Sequence, residues 1–154
     1  MSKYQKEYYL INREHKIEQQ NKYYKENPEI KRKWRRENRD KINIIGERRR
    51  SRERNLPSTF TEEQWKETKI YFNNTCAYCG KELPLAQEHI IPVVKGGGYI
   101  KENIIPSCKS CNSSKYNKNF EEWYPIYKYY TKEREDKIFA YIDENTNNQS
   151  IITK

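Results

Sequence analysis

Two cysteine pairs, Cys76-Ala-Tyr-Cys79 and Cys108-Lys-Ser-Cys111, are separated by 28 residues in a chain of 154 that has no other cysteine. Each pair has the two-residue spacing at which a tight turn offers both sulfurs to one ion, and two such turns complete a tetrahedral Zn²⁺ site. The segment between them is therefore a loop whose ends meet at a metal. Disulfide pairing is the other use of four cysteines. The start, Met1-Ser2-Lys3-Tyr4-Gln5-Lys6-Glu7, lacks the apolar core of a signal peptide, and no apolar run approaches the ~20 residues of a membrane span. A cytoplasmic setting follows, and there thiols are kept reduced and serve metals.

The chain needs such a clamp because it is short of core. Leu, Ile, Val and Phe make up 27 of 154 residues, a fraction at which a highly charged chain stays unfolded unless a metal or partner holds it. Only 7 of the 27 lie in residues 1–55. Charge divides at the same place: residues 1–55 carry 18 Lys/Arg against 9 Asp/Glu, whereas residues 56–154 carry 13 of each. The net charge of +9 thus sits on an N-terminal arm, the footprint of a polyanion binder. The arm lacks the wide apolar face needed to enter a bilayer, so the expected partner is double-stranded DNA and not a membrane.

Along the arm a loose repeat places aromatics ahead of an Asn: Tyr8-Tyr9 before Asn12, Tyr23-Tyr24 before Asn27, Trp34 before Asn38. The Asn spacings of 15 and 11 are near whole helical turns, so the repeat recurs on one helix face. Pro28 excludes the α conformation for Asn27 but suits the first position of a new helix. Two helices are predicted, 3–26 and 28–54, with Gly46 a weak point in the second. Lys31 to Arg54 holds 12 basic and 4 acidic residues, and Arg35, Arg36, Arg39, Arg48, Arg49 and Arg50 are candidate phosphate contacts.

Leu56-Pro57-Ser58 reads as a linker into a module spanning 56–143, followed by a tail, 144–154, predicted to be disordered. Thr61 is an N-cap with Gln64 closing a capping box, and Phe60 and Trp65 are placed as a hydrophobic staple on a helix running to about Asn73. Trp65 and Phe72 are expected to pack over the metal module. After the first knuckle, an apolar stretch to Val94, the turn Lys95-Gly96-Gly97-Gly98 and the return Asn103-Ile104-Ile105-Pro106 predict a β-hairpin with a long loop. The glycines fit a permissive turn or a phosphate cradle. A short helix is expected to begin after Cys111. Beyond it Phe120, Trp123, Tyr127, Tyr130, Ile138 and Tyr141 or Ile142 form a core stripe interrupted by Pro125. The fold class read from this is α+β: a small zinc-stapled ββα module with flanking helices and a basic helical arm.

CxxC, Glu88-His89-Ile90-Ile91-Pro92-Val93-Val94-Lys95-Gly96-Gly97-Gly98, and Glu102-Asn103-Ile104-Ile105-Pro106-Ser107-Cys108-Lys109-Ser110-Cys111-Asn112-Ser113-Ser114-Lys115, in that order, resemble the HNH endonucleases of ββα-metal fold in the four-cysteine form common among phage and mobile-element enzymes. The likeness covers about residues 60–143. It implies a metal-dependent hydrolase of DNA phosphodiesters that leaves 5′-phosphate and 3′-hydroxyl ends. His89 matches the general base, whose unperturbed pKa of about 6.5 leaves it neutral at physiological pH. Glu88 and Asn112 match the two catalytic metal positions and offer oxygen to Mg²⁺ or Mn²⁺. Asn103 matches the middle letter of the motif and is expected to orient His89 by a hydrogen bond. Cys76, Cys79, Cys108 and Cys111 hold the structural zinc, and Lys95 and Lys115 add candidate DNA contacts beside the motif.

Glu88 stands where Asp or His is more usual, and Asn112 where the final His often stands. With no imidazole at either position the site should prefer hard ions to Zn²⁺. Strand alternation opposes Glu88 and His89, so a local twist or bulge is expected to bring both to one side. One such site cuts one strand at a time, and double-strand cleavage takes a homodimer or two successive events. The reading from a different class is a non-catalytic zinc-knuckle protein whose basic arm alone binds nucleic acid.

Overall fold

The computed structural model describes residues 2–152. Helices α1 (Lys3–Glu26), α2 (Pro28–Glu37), α3 (Arg39–Glu53) and α4 (Glu62–Tyr71) precede an antiparallel pair, β1 (Leu85–His89) and β2 (Ile104–Cys108). Then come α5 (Lys109–Lys115), the short α6 (Phe120–Trp123) and the long α7 (Lys132–Ile152). This is the α+β class read from the sequence, with strand, strand and helix in the order expected. The chain divides into two compact units, one reaching to Ile42 and the other beginning at Asn43.

The first unit is helix without core. Ser2 and Gln5 cap α1 reciprocally, each side chain bonding the other's backbone N–H, yet neither α1 nor α2 buries a residue. Each Asn of the repeat donates its side-chain amide to the carbonyl of the aromatic four residues earlier: Asn12 to Tyr8 and Asn27 to Tyr23 at 2.8 Å, Asn38 to Trp34 at 2.9 Å. At Asn27 and Asn38 the backbone N–H meets the same carbonyl and the helix stops. Asn competes in this way because its short amide reaches its own preceding turn. The predicted helix 28–54 is accordingly two helices broken at Asn38, and α3 runs through Gly46 without interruption.

In the second unit the basic helix meets the module. Ile44 of α3 is buried in a cluster with Phe60, Trp65, Tyr99 and Ile104. Arg48 forks Nε and Nη2 onto the carbonyl of Phe60 at 3.0 and 2.6 Å. Composition changes at residue 55, but packing changes near residue 43, because one isoleucine and one forked arginine suffice to seat the end of a charged helix. Thr61 and Gln64 form the expected capping box at the start of α4. Trp65, 1% exposed, is core and has no face free for a base.

The larger cluster surrounds the four cysteines with Phe72, Tyr78, Ile90, Ile105, Phe120, Trp123, Tyr124, Ile138 and Tyr141. Tyr127, Tyr130 and Ile142 pack against it, so the aromatic stripe read from the sequence is core. The tail expected to fray from residue 144 is helical as far as Ile152; Thr153 and Lys154 lie outside the described residues.

Candidate active site

The two knuckles form by different local means. In the first, the Gly80 N–H bonds the Cys76 carbonyl at 2.8 Å and Gly80 takes φ +70°, the left-handed conformation that closes a tight turn. The Ala77 N–H ties this turn to the Pro106 carbonyl of β2 at 2.8 Å. The second knuckle is the junction of β2 and α5: Cys108 is the last strand residue and caps the helix, and Cys111 lies in its first turn. The four Sγ atoms all lie within 4.8 Å of one another, as free thiols. A tetrahedral zinc with bonds of about 2.3 Å spaces its sulfurs about 3.8 Å apart, so the donor set fits a structural zinc. The thiols already interact: the Cys111 thiol pulls Cys76 down to about 4, and Cys111 is pushed up in return. Tyr127 donates its hydroxyl to Cys111 Sγ at 3.4 Å, a contact that would stabilise a thiolate there.

The hairpin between the knuckles pairs Glu88 with Ile105 and His89 with Ile104 in an unbroken register. No bulge is present. His89 is the last residue of β1, and the chain leaves the sheet there for Pro92, so both neighbours line one cleft of about 500 Å³. Asn112 of α5 lines it too, as do Glu47, Arg50 and Arg54 from the α3 end.

Burial governs the chemistry of the cleft. Glu88 is buried and its carboxyl is pushed up to about 7 by desolvation, against the opposing pull of Lys115. The His89 imidazole is pushed down to about 4 by burial and then by the Lys115 and Arg50 charges, so it is neutral at physiological pH. Its Nε2 is buried and unpartnered, and its ring lies 5.8 Å from that of Tyr99, whose hydroxyl donates to Gln87 Oε1 at 2.8 Å. A neutral imidazole has one N–H and one acceptor nitrogen, and the tautomer decides which of these Nε2 is.

Asn103 bonds the loop that follows His89. Its amide donates to the carbonyls of Ile91 at 3.0 Å and Gly98 at 2.9 Å, and its Oδ1 accepts from the Ile91 N–H at 2.8 Å. Both donors are thus committed to backbone and none is left for the imidazole. These bonds form a staple across the loop that follows His89, reinforced by the Ile90 N–H on the Asn103 carbonyl at 2.9 Å. Gly97 is required here: a Cβ would lie 1.8 Å from the Ile91 carbonyl oxygen. The triple glycine permits a close backbone approach.

Of the predicted DNA contacts, Arg35, Arg36 and Arg39 are exposed, in the first unit. Arg48 is committed to Phe60, Arg49 pairs with Glu53 at 3.5 Å, and Arg50 pairs with Glu47 at 2.7 Å beside the cleft. Lys95 is exposed and bonds Asn119 at 2.7 Å. Lys115 is a correction: it is fully buried, with its ammonium 2.9 Å from Glu88 Oε1 and 2.7 Å from the His89 carbonyl. A side chain with no exposed surface does not reach a phosphate. Glu47 and Arg54 are cleft residues that the motif does not indicate, although Arg54 lies four residues after Arg50, one helical turn on, and that spacing is a usable signal.

A two-knuckle cysteine cluster carrying a β-hairpin and a short helix, with a carboxylate, a histidine and an amide on one cleft, defines a metal-associated ββα module. Residues 76–118 match the model of the HNH endonuclease family. The chain is also similar to YoqL, an SPbeta prophage-derived protein of Bacillus subtilis (strain 168) whose name assigns it provisionally to the HNH endonucleases. The two are 37% identical over a 92-residue alignment covering 49% of this chain and 38% of the relative. The chain thus matches well under half the length of that relative.

Proposed function

We propose that the protein is a metal-dependent DNA endonuclease in which His89 is the general base. The observation that carries this reading is the His89 nitrogen, buried, neutral and unpaired, on a cleft shared with Glu88 and Asn112. The imidazole would take a proton from an attacking water, and the hydroxide equivalent so formed would add to the phosphorus. Breaking the bond to the 3′ oxygen leaves a 5′-phosphate and a 3′-hydroxyl. Glu88 and Asn112 offer oxygen donors and no imidazole, a set suited to Mg²⁺ or Mn²⁺, which when bound would offset charge on the phosphate and on the leaving oxygen. Asn103 fixes the loop after His89 and so fixes where the base points. Arg50 and Arg54 stand at the cleft wall beside Glu47 and Glu53, so the positive charge for DNA comes mainly from the basic helices of the arm, which bind the flanking duplex.

In this reading zinc occupies the four-cysteine cluster, contributes folding energy and takes no part in the chemistry. No helix among the described residues is long and apolar enough to cross a membrane, and a prophage-derived relative accords with action on DNA in the bacterial cytoplasm. The test is conversion of supercoiled plasmid to nicked or linear forms by zinc-loaded protein with Mg²⁺ or Mn²⁺, with an EDTA control. DNA ligase should reseal the nicks, since it requires the ends named above. Intact but gel-retarded plasmid under all metal conditions would instead favour a non-catalytic zinc-knuckle binder.

A further inference from the structure

Lys115 is a buried cation with no task in the chemistry proposed above. It is 0% exposed, and two of its three ammonium protons are directed at consecutive residues of β1: the Glu88 carboxylate at 2.9 Å and the His89 backbone carbonyl at 2.7 Å. A lysine is almost never fully buried unless a partner compels it, and a pair that merely stabilised the fold could as well be apolar. Both partners here are site residues. Lys115 itself ends α5, one turn after Asn112, the other proposed metal donor, and four residues after Cys111 of the second knuckle. One ammonium therefore joins the strand that carries the base to the helix that carries the second ligand.

We infer that Lys115 is a positioning residue of the catalytic centre: it fixes one oxygen of Glu88, leaving the other to a divalent ion, and it sets the backbone from which the His89 ring projects. This rests on the nuclease reading above, since it is toward that metal and that base that the residue acts. Arginine at this position would keep the charge but not the compact point geometry that lets one amine reach two acceptors. Methionine would keep the volume and lose both bonds.

The experiment uses the full zinc-loaded chain and reads Mn²⁺ binding by calorimetry alongside plasmid nicking. Lys115→Met should weaken Mn²⁺ binding tenfold or more and lower kcat by a similar or larger factor, with KM for DNA nearly unchanged. Lys115→Arg should recover part of both. Because Lys115→Met leaves a buried carboxylate unpaired, zinc content and circular dichroism are checked, and Glu88→Gln/Lys115→Met is compared with Glu88→Gln alone. If Lys115 acts through Glu88, the second substitution adds little to the first in Mn²⁺ affinity. A folded Lys115→Met protein with wild-type Mn²⁺ affinity and kcat would overturn the inference, as would an effect confined to KM, which would return Lys115 to a DNA-contact role. So would equal, independent losses from the two substitutions in the double variant. Wild-type protein that neither binds Mn²⁺ nor nicks DNA would instead defeat the nuclease reading itself.

Discussion

The unit ending at Ile42 and the unit beginning at Asn43 are both rich in helix, yet they are held together by different physics. In the first, local bonds do everything: a capping box, Asn side chains on their own preceding turns, and no buried residue on α1 or α2. Tyr4, Ile11 and Trp34 remain 77%, 76% and 56% exposed. In the second, two apolar clusters and a four-thiol cluster surround a two-stranded hairpin too small to stand alone. The difference teaches that most of the net charge, +6 of +9, lies apart from the packed module, while the remaining +3 lies in the unit that holds the cleft. The first unit carries most of the net positive charge and owes its order to propensity, whereas the cleft is built where tertiary packing buries one ring nitrogen of a half-buried histidine.

Zinc removal should separate the two most sharply. A structural zinc contributes on the order of 10 kcal/mol of apparent folding energy, more than a domain this size can lose. Chelation should therefore abolish the cooperative melting transition of the second unit while leaving a noncooperative helical signal, read by circular dichroism. A cooperative transition surviving thorough chelation would mean that packing alone holds the module. Deleting residues 1–42 comes next. That stretch has 13 Lys/Arg against 7 Asp/Glu, and each ion pair with a phosphate that the deletion removes should flatten the log–log salt dependence of DNA affinity by about 0.9. A truncated protein with an unchanged slope would remove the arm from DNA binding.

Asn103→Ala tests the staple. It orphans the Ile91 N–H and relieves two carbonyls of their donor, for a loss of about 2–4 kcal/mol in chemical denaturation. A loss under about 0.5 kcal/mol would show that the loop holds itself.

The smallest effect concerns pH, and two groups oppose each other in it. His89 binds its proton near pH 6.5 unfolded but only near 4 folded, so its contribution to stability falls as pH drops through that window. Glu88, raised from 4.5 to about 7, keeps its proton longer when folded, so its contribution falls as pH rises from 4.5 toward 7. In metal-free catalytic sites the slopes largely cancel between pH 4.5 and 6.5. Glu88→Gln should expose the His89 slope, up to about 1.4 kcal/mol per pH unit, as acid sensitivity. His89→Ala should expose the reverse. Identical profiles for the two variants would contradict both burial arguments.

Much of this is legible in the sequence for physical reasons that can be named. The knuckles constrain chain closure whatever lies between them, and Thr61 to Gln64 is a capping box because both partners sit within one turn. The hairpin follows from motif order, but its first strand stops at His89 and not at Val94. What escapes depends on distance in space. Lys115 reads as one more surface cation, because nothing local shows that α5 folds it inward beneath β1. Asn103 reads as orienting His89 by a hydrogen bond, but which atoms it meets is hidden, because the loop carbonyls come from residues 5 and 12 positions away. The packing of α3 through Ile44 and Arg48 is hidden in a run that composition describes only as basic.

The proposed nuclease chemistry turns on His89 as the base, and the most direct measurement pairs cleavage with binding in one variant. For His89→Ala, zinc-loaded and saturated with Mg²⁺ or Mn²⁺, single-turnover plasmid nicking should fall about 10²–10⁴-fold while the affinity for duplex DNA stays within about twofold of wild type. Nicking at the wild-type rate would contradict the assignment, and equal losses of nicking and affinity would show that His89 serves the fold or the DNA contact and not the proton.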